Sequence, residues 1–238
     1  MKLSINIDHV ATLRQQRREK YPDPVSAAII CEKVGVDGIV CHLREDRRHI
    51  QDRDVFLLRD TLKTKFDLEM GASEEIIKIA LQVVPDLVTL VPEKREELTT
   101  EGGLNILSQK DYLKKTISRF HEKNIPVSLF VEADKNVIEV SKLIECDFVE
   151  LHTGVYANAT TKEEIEIKLK QISEAAQFAN SIGLKVNAGH GLDYTNILPI
   201  IKLNSIYEVS IGYSVISRAL FVGLEKAVRE MLNLVKGI

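Results

Sequence analysis

Side chains that can bind or move protons end most of the short apolar runs of this chain: Asp8 and His9, His42 and Arg44, Glu69, Glu132, Glu150 and His152, and His190. Five of the six histidines lie at or just past such a run, and only His121 resembles an ordinary helix residue. Core packing gives no reason for this placement. Carboxylates beside imidazoles supply proton donors and acceptors whose pKa values a closed pocket can separate. The pattern therefore predicts an acid–base site.

The densest polar stretch is CHLREDRRHIQDRD, residues 41–54, for which a solvated turn is the alternative to a binding site. Six arginines follow the first two apolar runs: Arg14, Arg17, Arg18, Arg44, Arg47 and Arg48. We expect most of them to be solvated or paired with Asp46, Asp52 and Asp54. One or two are expected to bind phosphate, because a guanidinium offers a planar fork to phosphate oxygens.

Glycines follow the seventh and eighth runs, at Gly191 and Gly212, and a helical pattern over 215–220 comes soon after Tyr213. Backbone N–H groups at such a helix start often bind phosphate in barrel enzymes. No lysine ends a run, which argues against a Schiff base on the protein's own amine. The long stretch 93–110, with Gly102 and Gly103 as hinges, predicts a lid, although a surface excursion is the alternative.

Eight short apolar runs are expected to form strands: residues 3–8, 36–43, 66–70, 87–91, 125–132, 147–152, 184–190 and 207–212. Helical patterns lie between them. Asp23 can cap a helix that has Pro24 at its first position. A later helix carries one apolar stripe, formed by Ile165, Leu169, Ile172, Ala176 and Ala179.

Continuous apolar strands alternating with helices indicate a parallel sheet buried on both faces. Eight strand–helix units predict a TIM (β/α)8 barrel, with an active site at the carboxyl ends of its strands. A doubly wound open sheet is the competing architecture, but no strand ends in a glycine-rich dinucleotide fingerprint. No linker divides the chain, so we expect one domain over residues 1–238.

The composition of the 238 residues, 45% hydrophobic and 28% charged, is that of a globular protein. A formal net charge of −3 without basic–aromatic interleaving argues against nucleic acid as a partner. Cys31, Cys41 and Cys146 lack metal-ligand spacing, which favours reduced packing residues. No run approaches a membrane span and no signal peptide is recognisable, so a soluble cytoplasmic protein is expected.

Several ordered motifs resemble the pyridoxine 5′-phosphate synthase family: residues 6–14 (NIDHVATLR), 21–25, 42–52 (HLREDRRHIQD), 69–70, 91–103, 150–154 and 187–192 (NAGHGL). The resemblance covers nearly the whole chain. It implies a TIM barrel with extra helices, assembled as a homooctamer of four dimers. The implied reaction condenses 3-amino-2-oxopropyl phosphate with 1-deoxy-D-xylulose 5-phosphate, releases phosphate and water, and uses no metal or organic cofactor.

The resemblance also implies residue roles. Proton acceptors match His42 and Glu69, and the proton donor matches His190. Contacts to the deoxyxylulose phosphate match Asp8, His9, Arg44, His49 and Thr99. Contacts to the amino substrate match Asn6, Arg17, Gly191 and Gly212, and Glu150 is expected in the same pocket.

One position departs from the family pattern, because Tyr213 stands where histidine is usual. If this residue binds phosphate through its backbone N–H, as its place at a helix start favours, the change costs little. Two other functions remain open. Asp8, His42, Glu69, His152 and His190 could form the metal cage of an epimerase or hydrolase. The chain could also be a barrel that binds ligands without turnover.

Overall fold

The computed structural model describes residues 1–93 and 102–238. The strands are β1 Lys2–Asn6, β2 Gly38–His42, β3 Lys65–Met70, β4 Leu87–Leu90, β5 Val127–Val131, β6 Phe148–His152, β7 Lys185–Gly189 and β8 Glu208–Ile211. The helices are α1 Asp8–Arg17, α2 Pro24–Val34, α3 Asp52–Thr61, α4 Glu74–Val83, α5 Ile106–His121, α6 Lys135–Leu143, α7 Gly154–Ala157, α8 Lys162–Ser181, α9 Ile197–Ile200, α10 Tyr213–Val222 and α11 Leu224–Lys236.

The eight strands close into a barrel in chain order, and every neighbouring pair is parallel. Ser4 of β1 pairs with Gly38 of β2 on one side and with Ser210 of β8 on the other. An open doubly wound sheet has two free edges and cannot make this closure. The predicted TIM barrel is therefore confirmed, and its helices outnumber its strands within the described residues.

The main core lies between the outer face of the strands and the helices. Alternate strand residues such as Leu3 and Ile5 on β1 and Ile39 and Cys41 on β2 are completely buried there. Helix boundaries follow local signals. Asp23 accepts the N–H of Ser26 at the start of α2, as predicted from the cap pattern.

Inside the barrel, near the amino ends of the strands, lies a charged group that we call the base layer: Lys65, Asp67 and Glu208, with Ser4 and Thr89 beside them. Lys65 pairs with Glu208 and lies 3.7 Å from a carboxylate oxygen of Asp67. The hydroxyl groups of Ser4 and Thr89 donate to Glu208 and Asp67, at 2.8 Å and 2.9 Å. Each buried carboxylate of the base layer therefore has a cation and a hydroxyl donor.

The predicted strands are confirmed, with one correction at the first. The apolar run was expected to continue as strand to Asp8, but β1 ends at Asn6 and α1 begins at Asp8. All three cysteines are buried and free, as expected of packing residues. Within the described part of the chain, no helix has the length and apolarity needed to cross a bilayer.

Candidate active site

The end of β1 forms one wall of the site through side-chain hydrogen bonds. The carboxamide of Asn6 accepts the backbone N–H of Asp8 at 2.9 Å and donates to the Asp8 carboxylate at 2.9 Å. The other Asp8 oxygen accepts the backbone N–H of His42 at 2.8 Å. This contact arises from a tight strand-to-helix turn, not from the alternation of side chains along a strand.

His42 ends β2 and forms a buried pair with Glu93, which lies just after β4. Its Nε2 is 2.9 Å from Glu93 Oε1, and the two side chains are only 6% and 7% exposed. The lowered pKa of Glu93 keeps its carboxylate ionised, so Nε2 is the nitrogen that carries the proton. In that tautomer Nδ1 has a lone pair that can accept a proton.

His49 has the opposite arrangement. Its Nδ1 accepts the backbone N–H of Ile50 at 2.8 Å, so the neutral ring carries its proton on Nε2. Burial lowers the pKa of His49, and the nearby charges of His42 and Arg44 act in the same direction against the opposing charge of Asp8. The two neighbouring imidazoles, whose ring centroids lie 6.0 Å apart, therefore offer one acceptor and one donor.

Potential metal ligands group differently from the cage considered in the sequence. Among residues 1–93 and 102–238, one group of ligand atoms lies within 4.8 Å, and it comprises Asp8, His42 and His49. Glu69, His152 and His190 are not part of it. His49 would have to lose the proton on Nε2, or break its bond to Ile50, before it could coordinate an ion. This arrangement suits hydrogen bonding better than coordination.

Glu69 and Glu150 form a second layer inside the barrel, above the base layer, which we call the mouth layer. Burial raises the pKa of Glu69 well above its ordinary value, and the charges of Glu150, Asp8 and Asp67 add to the effect. Burial likewise raises the pKa of Glu150 to about 8, against the opposing charge of Lys65. The surroundings of the mouth layer therefore favour the protonated carboxyl, and a bound cation would favour release of the proton.

His190 follows β7 in a constrained turn. Its φ is +81°, an uncommon backbone conformation for a residue other than glycine, and Gly191 follows at +77°. The Thr153 hydroxyl lies 2.6 Å from the His190 carbonyl oxygen and 2.7 Å from that of Gly189. Burial lowers the pKa of His190, and the charges of His152 and His9 lower it further.

His152 connects His190 to a second carboxylate–histidine pair. The two rings lie 5.0 Å apart between centroids, in an edge-to-face arrangement. His152 Nδ1 is 2.9 Å from Glu132 Oε1, which also accepts the backbone N–H of Gly103 at 2.9 Å. The mouth thus contains two histidines, His42 and His152, that are each held by a glutamate.

The end of β8 presents a helix start to the mouth. Gly212 approaches Asn6 so closely that an added Cβ would lie 3.0 Å from its Cβ and carbonyl oxygen. α10 begins at the next residue, Tyr213, whose side chain is 70% exposed and has its ring 5.3 Å from that of His9. The first N–H groups of a helix form a ready site for an anion.

Three of the arginines form the ion pairs that the sequence predicted. Arg14 forms a buried pair with Asp54, at 2.9 Å and 2.6 Å, and Arg47 pairs with Asp52 at 2.6 Å. Arg44 is buried and contacts Asp46, at 3.3 Å. These ion pairs fix the loop after β2.

One predicted site residue lies at a helix end and is open to solvent. Arg17 ends α1 and is exposed. Thr99 and part of the predicted lid, residues 94–101, lie outside the described residues.

Sequence reasoning assigned no role to Glu93, Glu132 or His152 beyond their places at strand ends and His152 as a possible metal ligand. Glu93 contacts His42 and His152 lies beside His190, which are both predicted catalytic residues, and Glu132 contacts His152. The signal that could have found them is the one used for the others, because each follows or ends a strand at the carboxyl face. What the sequence does not give is which glutamate meets which histidine.

The fold is a closed eight-stranded parallel barrel. The carboxyl ends of its strands hold histidines, buried carboxyl groups with raised pKa values and the start of a helix. These features define a TIM-barrel enzyme of acid–base chemistry. The family model described as "Pyridoxal phosphate biosynthesis protein PdxJ" matches residues 3–237. The chain belongs to this family and is an enzyme of pyridoxal phosphate biosynthesis.

Relatives named pyridoxine 5′-phosphate synthase are similar over their full length. The one from Chlorobium chlorochromatii is 56% identical over 236 residues, which cover 99% of this chain and 100% of the relative. The one from Aliivibrio fischeri is 54% identical, over 99% of this chain and 97% of the relative. The motifs that suggested the family in the sequence therefore belong to a match along the entire chain.

Solved structures with little sequence identity share the fold. Phosphoribosyl anthranilate isomerase from Thermus thermophilus has a TM-score of 0.64 at 13% identity, covering 100% of this chain and 99% of that chain. Thiamine phosphate pyrophosphorylase from Pyrococcus furiosus has a TM-score of 0.63 at 16% identity, covering 99% and 96%. At this identity the likeness concerns the barrel alone.

Proposed function

We propose that this chain is a pyridoxine 5′-phosphate synthase, which condenses 3-amino-2-oxopropyl phosphate with 1-deoxy-D-xylulose 5-phosphate and releases phosphate and water. The observation that carries the proposal is the gathering, at the carboxyl ends of the strands, of a histidine held by a carboxylate, His42, and two buried carboxyl groups, Glu69 and Glu150. Ring closure requires repeated removal and return of protons at carbon and oxygen, which such a set supplies.

The proposed mechanism uses these groups as proton donors and acceptors. The amine of one substrate attacks the ketone of the other, and His190 assists the loss of water. His42 or Glu69 then removes carbon-bound protons for the eliminations and the ring closure. Each proton transfer is typically worth about 10²–10⁴-fold in rate. Lys65, the lysine of the base layer, lies at the start of β3, so the amine of the Schiff base is the substrate's own.

The lowered pKa of His190 bears on its role as a proton donor. In the free enzyme the ring is neutral at pH 7 and can donate only its N–H. A phosphate dianion bound at the start of α10 places negative charge at the same mouth and favours the imidazolium. His190 therefore becomes a stronger proton donor when a phosphorylated substrate binds, which limits premature proton transfer.

Substrate contacts are assigned by the same logic. For the amino substrate we propose Asn6, Arg17, Gly191, Gly212 and Tyr213, with the backbone N–H groups at the start of α10 binding its phosphate. For the deoxyxylulose phosphate we propose Asp8, His9, Arg44, His49 and Thr99. His49 donates through Nε2 in this assignment.

The remaining properties are also proposals. We propose a cytoplasmic homooctamer of four dimers that needs neither metal nor organic cofactor. The one-acceptor, one-donor arrangement of His42 and His49 supports chemistry without a metal. Sedimentation velocity of the purified chain tests the assembly, because a dimer and an octamer differ fourfold in mass.

The deciding experiment supplies both substrates to the purified chain after exhaustive chelator treatment. We expect pyridoxine 5′-phosphate to form with one equivalent of inorganic phosphate. Activity that disappears with chelator and returns with a divalent ion would favour the metal-dependent alternative. Binding of both substrates without product would favour the non-enzymatic barrel.

A further inference from the structure

Glu93 makes three hydrogen bonds that join three strand ends at the mouth. Its Oε1 accepts from His42 Nε2 at 2.9 Å and from the backbone N–H of Gly71 at 2.8 Å. Its Oε2 accepts the backbone N–H of Glu45 at 3.0 Å. The donors follow or end β2 and β3, whereas Glu93 itself follows β4. The carboxylate is therefore held in place independently of the histidine.

This fixation has a chemical consequence for His42. A carboxylate can only accept, so the His42 nitrogen facing it must carry a proton. The second ring nitrogen, Nδ1, is then the basic one in the neutral ring. Burial opposes the charge of Glu93, but the hydrogen bonds from His42, Glu45 and Gly71 outweigh it and lower the pKa of Glu93.

We propose that Glu93 is a positioning residue that fixes the ring orientation and tautomer of His42 for proton abstraction. The expected change in kcat rests on the proposed function, whereas the expected change in the His42 tautomer does not. Glu93 does not exchange protons with the substrate in this role. Without it, the His42 ring can rotate or carry its proton on Nδ1, and the base is lost although its residue remains.

Gly71 offers a way to disturb the pair without changing either partner. A Cβ at this position would lie 2.9 Å from Glu93 Oε1 and 3.0 Å from Cδ, which is closer than side chains tolerate. The backbone of Gly71 has no positive φ, so alanine is accepted conformationally. Gly71→Ala is therefore expected to displace the carboxylate from His42.

The opposite end of the barrel supplies a matched control. His121 Nε2 lies 2.9 Å from Asp147 Oδ2, which also accepts the backbone N–H of Val127 at 2.8 Å. This pair repeats the carboxylate–histidine–backbone arrangement at the amino ends of β5 and β6. Asp147→Asn removes the same kind of hydrogen bond far from the reaction.

The test compares Glu93→Gln, Glu93→Asp, Gly71→Ala and Asp147→Asn with the parent chain. Ring ¹⁵N shifts of His42 report which nitrogen carries the proton, and steady-state kinetics separate kcat from KM. We expect Glu93→Gln to move the His42 proton toward Nδ1 and to lower kcat at least about 10²-fold, with KM changed less than about threefold. Glu93→Asp should recover part of the loss.

As a single substitution, Gly71→Ala should lower kcat. Combined with Glu93→Gln, it should lower kcat little further, because both substitutions act on the same contact. Asp147→Asn should lower Tm without changing kcat. Parent-like His42 ¹⁵N shifts in Glu93→Gln, or an unchanged kcat, would overturn the inference. If the parent chain itself makes no product while the ¹⁵N shifts change as expected, the positioning contact stands and the proposed function fails.

Discussion

The two layers of carboxyl groups inside the barrel differ in what surrounds them. In the base layer, Asp67 and Glu208 share Lys65 and each accepts a hydroxyl hydrogen bond. In the mouth layer, the hydrogen bond that Glu69 accepts comes from Asn6, at a long 3.4 Å. Burial raises the pKa of Asp67 to about 6 and that of Glu150 to about 8, and the charge of Lys65 opposes the shift of both.

Within one barrel interior, the comparison separates carboxyl groups that stabilise the fold from carboxyl groups that are proposed to take part in the reaction. A carboxylate oxygen with a cation and a hydroxyl donor is compensated for its burial, as Glu208 Oε1 is, although Glu208 Oε2 has no hydrogen-bond partner among the described residues. Such a group serves best to hold strands together. A carboxyl group without them is unstable as an anion and gains from a cationic substrate. In the proposed reaction the amino substrate can bind as such a cation, with the mouth layer as its counter-ion. It must then give up a proton before the free amine attacks the ketone, and a carboxylate of the mouth layer can accept that proton.

The largest difference between the two layers is expected between Glu69→Gln in the mouth layer and Asp67→Asn in the base layer. Gln cannot take a proton, so kcat should fall about 10²–10⁴-fold, or roughly 3–5 kcal/mol of barrier, with substrate binding largely intact. Asp67→Asn should chiefly lower stability. Steady-state kinetics and isothermal titration measure the two. An unchanged kcat in Glu69→Gln would contradict the assignment.

Lys65→Met tests the base layer. Removing the cation leaves Asp67 and Glu208 without their counter-ion, so the free energy of unfolding should fall by about 2–4 kcal/mol, as when one partner of a buried pair is lost. Chemical denaturation measures the change. The double variant Lys65→Met with Glu208→Gln should recover part of it, and a loss of kcat at unchanged stability would make this layer part of the chemistry.

Glu150→Gln tests the mouth layer through pH. The folded pKa of about 8 lies above the ordinary 4.5, so between these values the unfolded chain has released a proton that the folded chain keeps. The parent therefore loses stability as pH rises through this window, whereas Gln does not. The difference in free energy of unfolding between Glu150→Gln and the parent should therefore shift in favour of the variant by about 1–3 kcal/mol from pH 5 to pH 8.

Chemical denaturation at the two pH values measures this difference, with the exposed Glu163→Gln as control. The free energy of unfolding of Glu163→Gln should differ from that of the parent by the same amount at both pH values. A stability gain in Glu150→Gln that is independent of pH would mean that the raised pKa is wrong.

The smallest effect is expected at Tyr213, whose side chain is exposed although it stands at the mouth. Tyr213→His should change KM for the amino substrate less than about twofold, since the proposed contact is the backbone N–H. Tyr213→Pro keeps the helix start but removes that N–H, and should raise KM about tenfold. Equal effects of the two variants would argue against the backbone contact.

The sequence was sufficient for the barrel because its strands are buried on both faces and appear as unbroken apolar runs. Barrel closure then gathers their polar ends, so Asp8, His42, Glu69, Glu150 and His190 could be predicted together without their distances. The family resemblance supplied what patterns cannot, namely the substrates and the individual roles.

The contacts that set protonation were not predictable. Glu93 meets His42 across 51 residues, and nothing local in either segment indicates the partner. The turn at Asn6 was misjudged because Ile7 continues the apolar run while the amide of Asn6 already turns the chain. The base layer was also missed, although Lys65, Asp67 and Glu69 alternate along β3 and so share its inner face.

The burial of the three cysteines has a consequence for oxidative stress. Burial raises the pKa of Cys41 well above its ordinary value, and Asp8 and Glu69 raise it further. Burial also raises those of Cys31 and Cys146 to about 12. Peroxide and electrophiles attack thiolates, which are scarce at all three sites at physiological pH. Burial, aided at Cys41 by the neighbouring carboxyl groups, thus keeps the three thiols in their less reactive protonated form.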